Sequence, residues 1–172
     1  MPKIQLRCKY CLLVILAGMF FLKGQCQVST GTSGTDAALK VTVIQELQLG
    51  AFTQGNAGGS ISVSTEGTRS VSGTVIALNF GSNYFPLVLE IEGPKAAIVS
   101  MLAGETSILT GSNGGTMRLK IKETNPRVPF VINEDAPAKS IIKIGAELIV
   151  GNSLESPPGN YSGSLHISFI ME

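Results

Sequence analysis

From Leu39 onward, apolar residues fall on every second position. Leu39, Val41 and Val43 alternate with Lys40, Thr42 and Ile44. Leu87, Leu89 and Ile91 alternate with Val88, Glu90 and Glu92, and Met117, Leu119 and Ile121 with Arg118, Lys120 and Lys122. A period of two puts one set of side chains on one face of an extended strand, so each run reads as a strand with one buried and one wet face. Segments rich in Gly, Pro and Asn separate the runs: QGNAGGS, EGTRS, FGSNYF, EGPK, TGSNGGT, NEDAP and SPPGN. Short alternating strands with frequent turn signals predict an antiparallel sandwich or barrel. The stretch PKAAIVSMLAG could make three helical turns, while Gly93-Pro94 before it and the β-branched Ile98 and Val99 also permit a strand. With no Trp and 6% aromatic residues, the core must be mostly Val, Ile and Leu.

The first residues read differently. Lys3, Arg7 and Lys9 precede Tyr10–Leu22, an uncharged apolar run of thirteen residues. A transmembrane helix needs roughly 20 apolar residues. The short run after a basic start predicts a secretory signal peptide over 1–26. Gly24 and Cys26 are small residues spaced for cleavage between Cys26 and Gln27, and lipidation of Cys26 is the competing reading. The three cysteines are Cys8, Cys11 and Cys26, so a chain starting at Gln27 has no disulfide, thiol nucleophile or thiolate metal site. Cleavage also removes four of the thirteen basic residues and none of the twelve acidic ones, leaving a net charge of −3. Such a chain has no basic footprint for nucleic acid. Residues 27–37 read as a flexible polar leader, and 38–172 as a single domain with no transmembrane segment.

The candidate chemical groups do not assemble into a catalytic set. His166 is the only histidine and falls on the polar parity of its strand, without a G-x-S-x-G elbow anywhere. Glu90 and Glu92 share a strand face, which suits solvation better than flanking a glycosidic bond. Glu134-Asp135 lies in a loop without a cation-binding pattern. TGSNGGT and QGNAGGS precede strands and lack a P-loop lysine, so they read as turns. No enzyme, cofactor or metal site is expected.

Several segments occur in a familiar order. LKVTVIQELQLGAFTQGNAGGSISVSTEGTRSVSG is followed by GSNGGTMRLKIK and then by IGAELIVGNSLESPPGNYSGSLHISFIME. Together they resemble the bacterial family called domain of unknown function 4402, over about Leu39 to Glu172. Leu47-Gln48-Leu49-Gly50-Ala51-Phe52 departs from the family pattern, with a leucine where an aromatic usually precedes the glycine. Gly145, Leu148, Val150, Gly151, Pro158, Gly159, Tyr161, Gly163 and Phe169 stand in the family's order. The family is associated with the major subunit of the Mat-type common pilus and with fimbria-like exported proteins. The resemblance therefore implies an immunoglobulin-like antiparallel β-sandwich, exported to the periplasm, outer surface or fimbrium of a bacterium. It implies no catalytic residues.

Two functions follow as expectations. The first is a fimbrial or pilus-like structural subunit that joins copies of itself or other surface subunits by β-strand addition. Its candidate exchange segment is Leu39, Val41, Val43, Leu47 and Leu49. The second is a monomeric secreted or surface-attached module that binds a glycan or protein through loops such as 51–60 and 123–139. In either case Tyr161, Leu165, Ile167 and Phe169 form the closing strand, and no C-terminal sorting domain or membrane tail is expected. Tyr161 is either a core-edge aromatic or a corner tyrosine whose hydroxyl bonds back to the main chain.

Overall fold

The computed structural model describes residues 28–30, 39–81, 83–104 and 106–172. The predicted signal peptide and the Cys26–Gln27 junction lie outside them. In chain order the strands are β1 (Val28–Thr30), β2 (Lys40–Gln45), β3 (Phe52–Thr53), β4 (Gly59–Val63) and β5 (Arg69–Gly73). Next come β6 (Ile76–Ala77), β7 (Leu87–Glu92), β8 (Ile98–Ala103), β9 (Ser107–Gly111) and β10 (Thr116–Asn125). The last four are β11 (Phe130–Val131), β12 (Ser140–Val150), β13 (Tyr161–Ser162) and β14 (Ile167–Met171). No helix occurs among the described residues. The fold is the all-β sandwich that the alternation predicts.

The long strand β12 organises the larger sheet. One edge of it pairs antiparallel with β10, from Arg118↔Ile149 to Asn125↔Lys143. Its other edge is shared. β7 takes Ser140–Ile144, and β4 takes Ala146–Val150. β5 continues outward from β4, β2 from β7, and β9 then β13 from β10. Gly145 sits at the fork. A Cβ there would come within 2.9 Å of the Val63 carbonyl oxygen and 3.0 Å of the Thr65 nitrogen, so a side chain would push β4 away. Across the strand, β10 carries a bulge between Ile121 and Glu123. The bulge turns Glu123 toward the fork, where its Oε1 accepts the Thr65 N–H at 3.0 Å.

The smaller sheet runs β1-β14-β8-β11. The two-residue strands β3 and β6 pair separately. The core fills the space between the sheets. Ile61, Leu89, Ile91, Ile142, Ile144 and Ala146 enter from one side, and Val99, Ile167 and Phe169 from the other, all at most 1% exposed. As the composition requires, it is mostly aliphatic, with Phe169 its largest fully buried side chain.

One open alternative is settled and two elements differ in detail from the sequence reading. PKAAIVSMLAG resolves as a strand, β8, because β14 and β11 flank it and supply ladder partners. The closing stretch is two strands. Tyr161 and Ser162 pair with β9 in the larger sheet, while Ile167–Met171 pair with β8 in the smaller one. The chain thus crosses between sheets over 163–166, the way sandwiches turn corners. In the leader, which reads as flexible, Val28–Thr30 instead form β1, parallel to Ile167–Phe169 of β14. The rest of the leader lies outside the described residues.

Gly145→Ala is expected to lower stability by about 1–3 kcal/mol, the usual cost of overpacking. Phe169→Ala should cost about 3–5 kcal/mol through lost burial and the cavity left behind. Urea unfolding of each variant against the parent measures both.

Candidate functional site

The open flank of the sandwich forms a cleft of about 750 Å³. Residues 46–52 and Gln54, which follow β2, line it together with 157–163 around β13. Leu87, Leu109, Met117, Leu119, Leu148 and Leu165 also line it, and all but Leu109 are buried, so the cleft reaches the core.

The segment after β2 is thinly held. Gln48 exchanges two main-chain hydrogen bonds with Phe85, at 2.9 and 2.8 Å. The main chain of Leu47 and Leu49 forms no hydrogen bond with any other described residue. In an extended segment, alternate residues present their N–H and C=O to opposite edges. The edge opposite Phe85 therefore has donors and acceptors to offer.

The other wall is braced. The Tyr161 hydroxyl donates to the Pro157 carbonyl at 2.6 Å, so Tyr161 is both a core-packed aromatic and a corner tyrosine. Asn113 Nδ2 donates to the Pro158 carbonyl, and the Ser112 N–H to the Asn160 carbonyl. Ser156 is fully buried, and its hydroxyl donates to the Thr116 carbonyl at 2.8 Å. Gln54 Nε2 donates to the Ser156 carbonyl and so ties the first wall to the second. Arg69 steadies the rim. Its guanidinium lies 4.3 Å from the centre of the Tyr84 ring and donates to the carbonyls of Ala51 and Leu78 and to Asn79 Oδ1. That clamp holds the loop from which Asn83 reaches the cleft.

The cleft lining is nearly as polar as it is apolar, with the amide side chains Gln48, Gln54, Asn83 and Asn160 beside the leucines. Such a surface suits an extended peptide, which offers apolar side chains and main-chain groups together. Glu46 is the one carboxylate that lines it.

The structure divides the sequence candidates. Leu39, Val41 and Val43 pack against the core, the two valines from β2, an edge strand antiparallel to β7. Leu47 and Leu49 line the cleft, as do Tyr161 and Leu165. Ile167 and Phe169 are core. His166 is exposed. Glu92 pairs with Lys40 at 3.2 Å and Glu90 with Lys139 at 2.6 Å, which engages both carboxylates. Glu90 raises the Lys139 pKa, by its hydrogen bond first and its charge second. Asp135 Oδ1 accepts the Lys95 N–H, a loop tie at the surface. The glycine-rich QGNAGGS is a site of close backbone approach. A Cβ at Gly58, whose φ is +69°, would meet the Val150 carbonyl oxygen. Sequence reasoning missed Asn83 and the lining by Leu87, Leu109, Leu119 and Leu148, because leucines at core parity look alike whether the core above them is closed or open.

Among the described residues, no group of three or more His, Cys, Asp or Glu could hold a metal ion. No helix of the described residues is long and apolar enough to cross a membrane.

The family model described as "Domain of unknown function (DUF4402)" matches residues 39–170. The chain belongs to the DUF4402 family. The matched span runs from just before β2 nearly to the end of β14, so this DUF4402 domain includes the cleft and both of its walls. No curated protein and no solved structure matches the chain.

Tyr161→Phe removes the hydroxyl that holds Pro157 and is expected to cost about 0.5–1.5 kcal/mol. Burial raises the Tyr161 pKa, so the folded state holds the phenolic proton more tightly than the unfolded state does. The stability this brings is complete below the ordinary tyrosine pKa and is lost as pH rises through the raised value. Melting temperatures measured across the alkaline range should fall less steeply for Tyr161→Phe than for the parent.

Proposed function

We propose that this DUF4402 protein is an exported, non-catalytic surface protein, a fimbrial or pilus-like subunit that assembles by β-strand addition. The observation that carries the reading is the cleft. It opens the core along one flank and leaves the main chain of Leu47 and Leu49 without a partner among the described residues. An added strand would cover the leucines and use that edge. The candidate exchange segment is the one with Leu39, Val41, Val43, Leu47 and Leu49, which in place also supplies the open edge, so its exchange would move strand and edge together to the neighbour. In this structure its first half forms β2, which reaches the larger sheet through β7 alone. Transferred to a neighbouring copy, it would make the same contacts there, as swapped elements do.

A second reading keeps the chain monomeric, as a secreted or surface-attached module for a glycan or protein ligand. The cleft's volume favours it, since ligand sites commonly measure about 300–1,000 Å³.

A denaturing gel of surface extract, run without boiling, separates the two. Strand-exchanged polymers give a ladder spaced by one subunit that collapses on boiling. A single band at monomer mass would reject the fibre reading. Deletion of residues 39–49 gives a one-sided check, because it removes the core-packed Val41 and Val43 under either reading. A fibre donor lost in this way leaves chains that aggregate or are degraded, whereas stable, soluble monomers would count against exchange.

A further inference from the structure

The chain from Gln27 is acidic overall, yet the register of the larger sheet gathers cations on one strip of its outer face. Met117, Leu119, Ile142, Ile144 and Leu148 face the core. Arg118 and Lys120 of β10 and Lys143 and Glu147 of β12 therefore face outward. Lys122, at the bulge in β10, is exposed as well. Successive outward residues on a strand stand about 7 Å apart, so the cations of β10 form a row. Arg118 has Ile149 beside it on one edge and Ile108 on the other, so its ladder neighbours offer no opposite charge.

Among the described residues, the ion pairs are Lys40 with Glu92 and Lys139 with Glu90, both at β7. Two carboxylates lie on the strip, and each accepts a hydrogen bond from an uncharged group. Glu147 takes the Ser60 hydroxyl at 2.7 Å and Glu123 the Thr65 N–H at 3.0 Å. Arg118, Lys120, Lys122 and Lys143 outnumber these carboxylates and form no ion pair among the described residues. Clustered like charges repel one another, and a bound anion relieves the repulsion.

The layout restricts which anion fits. A linear polymer whose charges recur can meet several cations of the row at once. An anionic bilayer would cover the whole face and would also meet Glu90 and Glu92 at β7. Single-stranded nucleic acid draws affinity from bases stacked on aromatic side chains, and β9, β10 and β12 carry no aromatic residue. A sugar chain needs neither feature. Its hydroxyls can meet Thr110 and Thr116, an exposed pair at the end of the strip, and its C–H faces can meet Ile108 and Ile149.

We propose that the outer strip of β10 and β12 binds a linear anionic polysaccharide, through carboxylates or sulfates that recur along the sugar chain. The contact lies apart from the cleft and is independent of strand addition.

Biolayer interferometry of the exported form on immobilised heparin, which is sulfated, and on alginate, which is carboxylated, tests the proposal. Binding to at least one is expected, and it should weaken as salt rises. Binding to heparin alone assigns sulfate as the ligand group, and binding to alginate alone assigns carboxylate. Arg118→Gln combined with Lys122→Gln removes two of the cations and should weaken binding roughly tenfold, with a shallower salt dependence. Lys95→Gln removes a charge from the turn before β8 and should change little. All three side chains are exposed, so melting temperatures should match the parent and confirm that each variant folds. A parent chain that binds neither polymer at low salt would overturn the proposal. Binding that the double variant retains in full would overturn it too, as would tighter binding to DNA or to vesicles of anionic lipid.

Discussion

The fork in β12 is the constraint on which the larger sheet depends. One strand must satisfy β10 along one edge and two different strands along the other. β7 and β4 can divide that edge only if their ends separate cleanly at Gly145. The glycine leaves room for Val63 and Thr65 to pass, and the bulge in β10 supplies Glu123 to bond the Thr65 N–H that the ladder leaves over. Ile142, Ile144, Ala146 and Leu148, at most 2% exposed, then stand in one row beneath both halves. The core is continuous because the sheet above it branches without a gap.

The cleft arises at the other end of the same arrangement. β2 leaves the sheet at Gln45, and over 46–50 the main chain keeps only the Gln48–Phe85 bridge among the described residues, before Ala51 accepts the Leu78 N–H. Opposite it, the closing stretch leaves β9 after Ser162 and crosses to the smaller sheet. Two crossovers on one flank cannot both continue the ladder, so the core is exposed between them. The bracing by Tyr161 and Ser156 holds the wall formed by 157–163, and Gln54 and Arg69 tie the far end of the other wall at 51–54, while 46–50 between them stays thinly held. The braced wall favours binding, since little order remains to be imposed on that side.

Much of this was legible in the sequence. Period-two runs located β2, β7 and β10, because each has one face on the core. The sequence left Tyr161 open between a core-edge aromatic and a corner tyrosine, and the bond to Pro157 shows that it is both. The division of the closing stretch could not. Tyr161, Leu165, Ile167 and Phe169 keep a single parity through the crossover, since the space between the sheets receives side chains from both. The fork was hidden for a related reason. Gly145 in a strand signals a bulge or a close approach, and only long-range register reveals which neighbours approach. The cleft left the faintest trace, because its leucines obey the same pattern as a closed core.

β12 also sets the order in which the chain can become a domain. Its partners β4 and β7 precede it by many residues, with Val63 facing Ala146 and Leu87 facing Ile144. Until β12 is present, those strands have no common neighbour to join them. Pairings so distant in sequence form slowly, because the loop must close before any contact is gained. A polypeptide passing through a narrow pore needs to stay extended while it moves. Under the proposed export, a keystone strand that follows its partners by many residues would keep the β2–β7 and β4–β5 pairs from joining into one sheet until it has crossed.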